Sequence, residues 1–482
     1  MRYPSPGKHK DLASFRAHLR SVAPELDVDE VVEGASGPLG TPFELGGRRV
    51  GNRFAIHPME GWDGTPEGLP SEHTRRRWRH FGASGAKLIW GGEAFAVQAD
   101  GRANPGQLFL NPGADVAGAL ASLRAELVAA HRAAGGSTDD LLIGLQLTHS
   151  GRFARPAGEP EPRIAYHDPA LDAKLGIDPG LALVSDGELE SIGASFVRAA
   201  ELAARAGFDF VDVKCCHGYL MHELLGARSR PGAYGGSFAN RTRFLRRVIA
   251  AIRAACPSLE VGVRVSIADV CPFEKDAETG VGRPLALALP YRHGFGIDAA
   301  DPLAFDWAEP RLLLDLLCEQ GIRLVNVSLG SPYCSPHLQR PAAYPPSDGY
   351  APPEDPLASV ARHLRAVRAC KAHAPGLVLV GSGYTYLQEW LAHVAQHELR
   401  AGHVDFVGLG RMVLAHPQFP RDVLAGRPLA RKKLCRTFSD CTTGPRNGML
   451  SGCFPLDPYY RALPEGERVR AIRGAFARGD AR

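Results

Sequence analysis

Lys214, His217 and Tyr219 crowd into the run GFDFVDVKCCHGYLMHE, residues 207–223. A lysine and a histidine can both donate to an oxyanion, and only the imidazole has an unperturbed pKa near neutrality. A tyrosine hydroxyl can pass a proton to a substrate carbon, or it can be a packed aromatic with a satisfied hydroxyl. Cys215 and Cys216, the most conspicuous members of the run, read as packing residues around this anchor. The elements that must position them are legible. Gly207 closes an alanine-rich helix, residues 208–213 have strand character interrupted by Asp209 and Asp212, and Gly218 bends the chain away. The C-terminal end of an apolar strand is where barrels and doubly wound sheets place their active sites.

The same unit recurs along the chain. Short apolar runs begin near 53, 87, 142, 208, 261, 324, 377 and 404, most of them separated by helical segments. Helices are expected over 11–22, 74–81, 114–134, 189–206, 240–255, 311–320, 357–372 and 387–399, with Ser185 or Asp186 as the cap of the fourth. Strands this apolar suit parallel pairing with both faces buried, and eight of them fit an α/β fold of the (β/α)₈ TIM-barrel type. A doubly wound sheet is the competing arrangement, but the chain has neither a GxGxxG fingerprint nor a GxxxxGK[ST] loop. Residues 1–50 read as an N-terminal extension whose hairpin near 39–50 covers the bottom, 51–425 as the barrel, and 426–482 as a cysteine-containing C-terminal extension. Long loops near 155–185, 269–306 and 331–356 are expected to shape the pocket.

In a barrel the residues just after each strand share one mouth. They are Pro58, Met59 and Glu60; Gly91, Gly92 and Glu93; Gln146 and His149; Lys214, His217 and Tyr219; Arg264 and Ser266; Ser328; Gly381, Ser382 and Gly383; Gly410 and Arg411. The GSG at 381–383 and GLGR at 408–411 follow strands seven and eight, where such barrels commonly bind phosphate. Their glycines let backbone N–H groups approach an anion, and Arg411 can pair with it bidentately. Gln146 suits a ring offering donors and acceptors. Arg264 can sit beside an electron-rich ring, or form a structural salt bridge with Asp212.

The chain has 482 residues, ordinary apolar content and a net charge of only +4, with no compact basic run beside aromatics. That balance gives no sign of nucleic acid as a partner. No apolar run is long enough for a membrane span, and the N-terminus lacks the apolar region of a secretory signal. Ten cysteines in this length do not suggest a disulfide scaffold. A cytoplasmic protein acting on a small molecule, with room for a homodimer, is the expectation.

Motifs in sequence order give a more specific reading. NRFAIHPM, QLTHSGR at 146–152, CHGYLMHELL, SRPGAYGGSFANRTRF at 229–244, VRVS at 263–266, GSG at 381–383 and GLGRMVLAHP at 408–417 resemble the old yellow enzyme family of FMN-dependent oxidoreductases over residues 38–425. The resemblance implies FMN as cofactor and NADH or NADPH as electron donor. It implies that Pro58, Met59 and Gly92 lie against the flavin, that Gln146 binds its pyrimidine end, that Arg264 faces its N1–C2 side, and that Gly381, Gly383, Gly410 and Arg411 hold the phosphate. It gives His217 the substrate oxygen and Tyr219 the proton. Lys214 replaces a histidine of the family pattern and Glu60 a small or neutral residue. A Glu60–Lys214 ion pair across the mouth is therefore expected. The implied reaction is hydride transfer to an activated C=C bond. Dehydrogenation of an amine or saturated substrate, or a nonredox anion-binding barrel, remain as alternatives.

The run KKLCRTFSDC, continuing to SGC, resembles the iron–sulfur segment of the dienoyl-CoA reductase and trimethylamine dehydrogenase branch. That segment has four cysteines. Here Cys435, Cys441 and Cys453 are present and Phe438 stands where the second is expected. A cubane cluster normally takes four thiolates, so a degenerate or absent cluster is expected.

Overall fold

Every apolar run singled out in the sequence becomes one stave of a closed barrel. In the computed structural model, which describes residues 3–478, the staves are β1 (Phe54–Ile56), β2 (Leu88–Ile89), β3 (Leu142–Thr148), β4 (Phe210–Cys215), β5 (Glu260–Ser266), β6 (Leu324–Ser328), β7 (Val378–Gly381) and β8 (Phe406–Leu409). Neighbours in sequence pair in parallel from β1 to β8, and β8 pairs with β1 through Val407↔Phe54 to close the circuit. The fold is a TIM barrel with extensions. β2 is short because Gly91 and Gly92 break it, Gly92 at φ +50. The chain then resumes at Ala94–Ala96, alongside Gln146 to Thr148 of β3.

Helices on the outside follow from caps and apolar stripes. Asp186–Arg205, which delivers the chain to β4, starts at Ser185, whose hydroxyl accepts from the Glu188 N–H while the Glu188 carboxylate accepts from Ser185 N–H. Such a capping box contributes about 1 kcal/mol. Leu189, Ile192, Phe196, Ala199 and Ala203 are its buried stripe, spaced for one helical face.

Inside the barrel, Ala55, Leu88, Trp90, Leu142, Phe210, Leu324, Val378, Val380 and Phe406 fill the lower half, and Leu45 and Val50 of the hairpin Phe43–Leu45/Arg48–Val50 join them. Trp90 meets Phe210 edge to face, centroids 5.4 Å apart. Gly144 is required beside this pair, since a Cβ there would lie 2.3 Å from the Phe210 ring. Phe210→Ala opens a cavity under the site and is expected to cost about 3–5 kcal/mol, read as a lower denaturant midpoint.

Three segments differ from the sequence expectation in detail. The loop near 155–185 holds a helix, Pro169–Leu175, capped by Asp168 and ended by Gly176 at φ +66. The insertion near 269–306 holds a hairpin, Phe273–Lys275 with Gly282–Pro284, its turn built by the Asp276 carboxylate accepting from the Glu278 and Thr279 N–H groups. The segment expected as helix over 387–399 opens with a 3₁₀ stretch kinked at Gln388 (φ +53), and the α-helix is Leu391–Arg400.

The C-terminal segment, with helices Asp440–Arg446, Pro458–Ala462 and Pro464–Arg478, has a small core of Met449, Phe454, Tyr460 and Val469. It lies on the loop after β6. Thr437 Oγ1 accepts from Ala343 N–H (2.9 Å), Thr443 Oγ1 accepts from Ser347 N–H (3.1 Å), and Arg446 pairs with Asp348 (2.6 Å). This places the segment over the C-terminal ends of the strands.

Candidate active site

The end of β4 and the turn after it bring Lys214, His217 and Tyr219 together at the barrel mouth. Lys214 is buried, with Nζ 3.6 Å from Glu60 Oε2 and 3.8 Å from the centroid of the Tyr219 ring. The expected Glu60–Lys214 pair is present. The Tyr219 hydroxyl donates to the same Glu60 oxygen and lies 3.1 Å from the Tyr333 hydroxyl. Burial pulls the Lys214 pKa down against the opposing pull of Glu60. Burial, then the Glu60 charge, push the Tyr219 phenol well above its ordinary value, so it keeps its proton at neutral pH.

His217 occupies the left-handed region at φ +67, a strained conformation for a non-glycine residue that recurs at functional sites. Two serines hold it there: Ser266 Oγ accepts its N–H (3.0 Å) and Ser331 Oγ donates to its carbonyl (2.9 Å). Its Nε2 lies 3.3 Å from Ser328 Oγ and 3.2 Å from Gln339 Nε2. Burial, then the charges of Arg264 and Lys214, depress its pKa well below the usual imidazole value. The ring is neutral at pH 7.

Across the mouth, Gln146 Nε2 donates to Asp212 Oδ2 and the Arg264 backbone N–H to Asp212 Oδ1, both at 2.6 Å. Asp212 is thus held by an amide and a main-chain donor. The Arg264–Asp212 salt bridge that the sequence left open does not form among the described residues. The Arg264 guanidinium is buried with Nε unpartnered. Burial raises the Asp212 pKa to about 6, with its hydrogen bonds opposing. A carboxyl whose folded pKa exceeds its unfolded value contributes stability below the unfolded pKa that is lost as pH rises through the folded one. Stability is expected to fall between about pH 4 and pH 6, by up to about 1.4 kcal/mol per pH unit, and Asp212→Asn to flatten that slope in urea titrations.

The mouth opens on one cavity of about 300 Å³, at the lower end of the range for small-molecule sites. It brings together Pro58, Met59, Glu60, Gln146, Lys214, His217, Tyr219, Arg264, Gly383, Gly410 and Arg411. Gly92 and Gly381 do not line it. A Cβ on Gly92 would meet Trp78 at 2.6 Å and one on Gly381 the Tyr384 hydroxyl at 3.0 Å, so these glycines face packing. Gly383 is at φ +93 with His363 3.1 Å from where a Cβ would stand, whereas a Cβ on Gly410 would meet nothing within 4 Å, leaving open space at the end of β8 beside Arg411.

Sequence reasoning missed several lining residues. His57 accepts from the Asn326 amide at Nδ1 (3.1 Å), which leaves Nε2–H for Ser382 Oγ (3.2 Å). Its position just before Pro58 at a strand end was a usable signal. Tyr333, Gln339 and Arg340 come from the loop after β6, and Cys441, Thr442, Arg446 and Ser451 from the C-terminal segment. Neither stretch carries a periodicity that places its side chains. Tyr333 stacks on Phe153 with centroids 4.0 Å apart. Cys435 and Cys453 are buried and their thiols are pushed up by burial, Cys435 to about 11, with Cys441 close enough to add to both shifts. Among the described residues, no group of three or more His, Cys, Asp or Glu side chains is placed to hold a metal ion. No helix among them is long and apolar enough to cross a membrane.

A closed parallel barrel with a polar mouth of this kind defines a class, and the comparisons give the family. The model of the NADH:flavin oxidoreductase / NADH oxidase family matches residues 38–286, and the chain belongs to that family, whose members are classed as FMN-dependent oxidoreductases. It is similar to an NADH:flavin oxidoreductase of Gibberella zeae, 32% identical over 206 residues, 39% of this chain and 45% of that protein. It is similar to an NADPH dehydrogenase of Bacillus licheniformis, 28% identical over 391 residues, 80% of this chain and 93% of that one. Among solved structures it is similar in fold to histamine dehydrogenase from Rhizobium sp. 4-9, with a TM-score of 0.61 at 22% identity over 88% of this chain and 53% of that chain. The match spans about half the length of the first of these relatives and of the dehydrogenase structure.

Proposed function

We propose that the barrel mouth binds FMN and that this chain passes hydride between a reduced nicotinamide and an organic substrate, reducing an activated C=C bond. The observation that carries the reading is the pairing, in one cavity, of a buried Arg264 with no carboxylate partner among the described residues and a β8 end at Gly410 and Arg411 that is open to a ligand, with Gly383 also in the lining. That donor set fits the group: a guanidinium for an electron-rich ring edge, an amide at Gln146 for a pyrimidine, and glycine backbone with an arginine for phosphate. Pro58 and Met59 line the intervening wall. When bound, the flavin supplies two-electron hydride chemistry, and the protein supplies position and polarisation.

On the substrate side, the neutral His217 ring and the Lys214 ammonium face the position of a substrate oxygen and stabilise negative charge that develops there. The Glu60 carboxylate balances Lys214, so the pair adds little net charge to the pocket. Tyr219 holds the proton for the substrate carbon. Its raised pKa keeps that proton in place until a carbanion-like centre draws it, and Tyr333 is the nearest hydroxyl to return one. The C-terminal segment, through Cys441, Thr442 and Ser451, covers the cavity and excludes water, a role that needs no iron–sulfur cluster at its three cysteines.

Anaerobic turnover with NADH and NADPH against a neutral enone, and separately against secondary and tertiary amines with an artificial acceptor, tests the direction. Enone-dependent oxidation of the nicotinamide is the expected result. Amine-dependent reduction of the acceptor without enone turnover would overturn it in favour of a dehydrogenase.

A further inference from the structure

The cations of the cavity do not balance. Arg77 is paired with Asp63 and with Glu93 (2.7 Å), Lys214 with Glu60 (3.6 Å), and Arg446 with Asp348 (2.6 Å). Arg264, Arg340 and Arg411 line the same space with no carboxylate within ion-pair distance among the described residues. The flavin reading gives Arg264 the ring edge and Arg411 the phosphate, which leaves Arg340 unassigned. It follows the short helix Pro336–Gln339, whose Gln339 touches His217, and Arg411 donates to the carbonyl of the next residue, Pro341 (2.8 Å). Arg340 therefore sits between the substrate anchor and the phosphate end. Its Nη1 donates to Thr442 Oγ1 (2.8 Å), a neutral acceptor that orients the guanidinium without discharging it. Its charged neighbours are Arg446 and Arg411, and burial together with these two pulls its pKa down. Arg340 and Arg411, half-buried side by side with no carboxylate of their own, are stabilised by an anion that arrives with a ligand.

We propose that Arg340 is the receptor for an anionic oxygen group, a phosphate or a carboxylate, carried by a ligand of this cavity. The proposal rests on the flavin reading of the site. Two sources can bring the group: the cofactor's phosphate, shared with Arg411, or an acidic substrate reaching toward the C-terminal segment. In the second case the pocket selects acidic over neutral substrates, with Thr442 setting the direction of approach.

The test is a set of binding titrations on the full chain, wild type against Arg340→Met and Arg340→Lys. Apoprotein is titrated with FMN and with riboflavin by flavin fluorescence. The FMN-loaded protein is titrated with 4-hydroxybenzoate and with its methyl ester by perturbation of the flavin absorbance. Loss of one charge-assisted contact is expected to weaken the anionic ligand about 10- to 100-fold in Arg340→Met, with the neutral analogue unchanged and Arg340→Lys intermediate. If the loss falls on FMN and spares riboflavin, the group is the cofactor's phosphate. If it falls on the hydroxybenzoate and spares its ester, the group is the substrate's. Equal loss for charged and neutral ligands, or no loss for either, overturns the proposal. Failure of the wild-type chain to bind FMN or riboflavin overturns the flavin reading itself, a result distinct from failure of the Arg340 variants.

Discussion

Lys214→Met is expected to lower the unfolding free energy by about 3 kcal/mol, because it leaves the Glu60 carboxylate in the mouth with Tyr219 but without its cation. The effect is a coupling, and the coupling is what to measure. Glu60→Gln removes the charge that Lys214 balances, and is expected to be destabilising on its own for the mirror-image reason. The double variant is expected to recover much of the loss, since an uncompensated charge costs more than the absence of both. A cycle of urea melts reads this directly. Strict additivity of the two single effects would mean that the 3.6 Å approach carries no energy and that the two residues act independently.

Tyr219→Phe is expected to lower turnover of a neutral enone by about 10²- to 10⁴-fold, the usual worth of a positioned proton donor. Reduction of the flavin by nicotinamide needs no proton from Tyr219 and is expected to stay within a few-fold of wild type. Enone affinity is expected to change little, because His217 and Lys214 are untouched. The split between the two half-reactions is the diagnostic: equal loss in both would place Tyr219 in cofactor packing instead. Tyr333→Phe keeps the stack on Phe153 and is expected to have a much smaller effect, because Tyr333 touches the donor and not the anchor.

The strands were legible because parallel staves buried on both faces must be short apolar runs, and each run here ends in a glycine or a polar residue at the mouth. The β4 cluster was legible for the same reason: Lys214 interrupts an apolar strand where a packed core tolerates no unpaired charge, and His217 and Tyr219 follow directly after it. The Glu60–Lys214 pair followed from two departures from one family pattern that compensate in charge. What stayed hidden came from segments with no period to read. Tyr333, Gln339 and Arg340 lie in a proline-rich loop whose path is fixed by contacts with Thr437, Ser439 and Thr443, almost a hundred residues later in the chain. The hairpin at 273–284 and the helix Pro169–Leu175 hide behind turn and cap chemistry at Asp276 and Asp168 that becomes visible only once the side-chain acceptors are in place. Gly92 and Gly381 have a packing reason to be glycine as well. A glycine at a strand end suggests close approach of a ligand, and at these two positions the close neighbours are Trp78 and Tyr384.

The central claim, a flavin seated between Arg264 and the β7–β8 glycines, is tested most directly by the chromophore of the purified protein. The chain is expected to be yellow as isolated or after incubation with FMN, to release one FMN per chain on denaturation, and to bleach anaerobically on addition of NADH or NADPH. A protein that stays colourless after reconstitution, with no quenching of added FMN fluorescence, would contradict it.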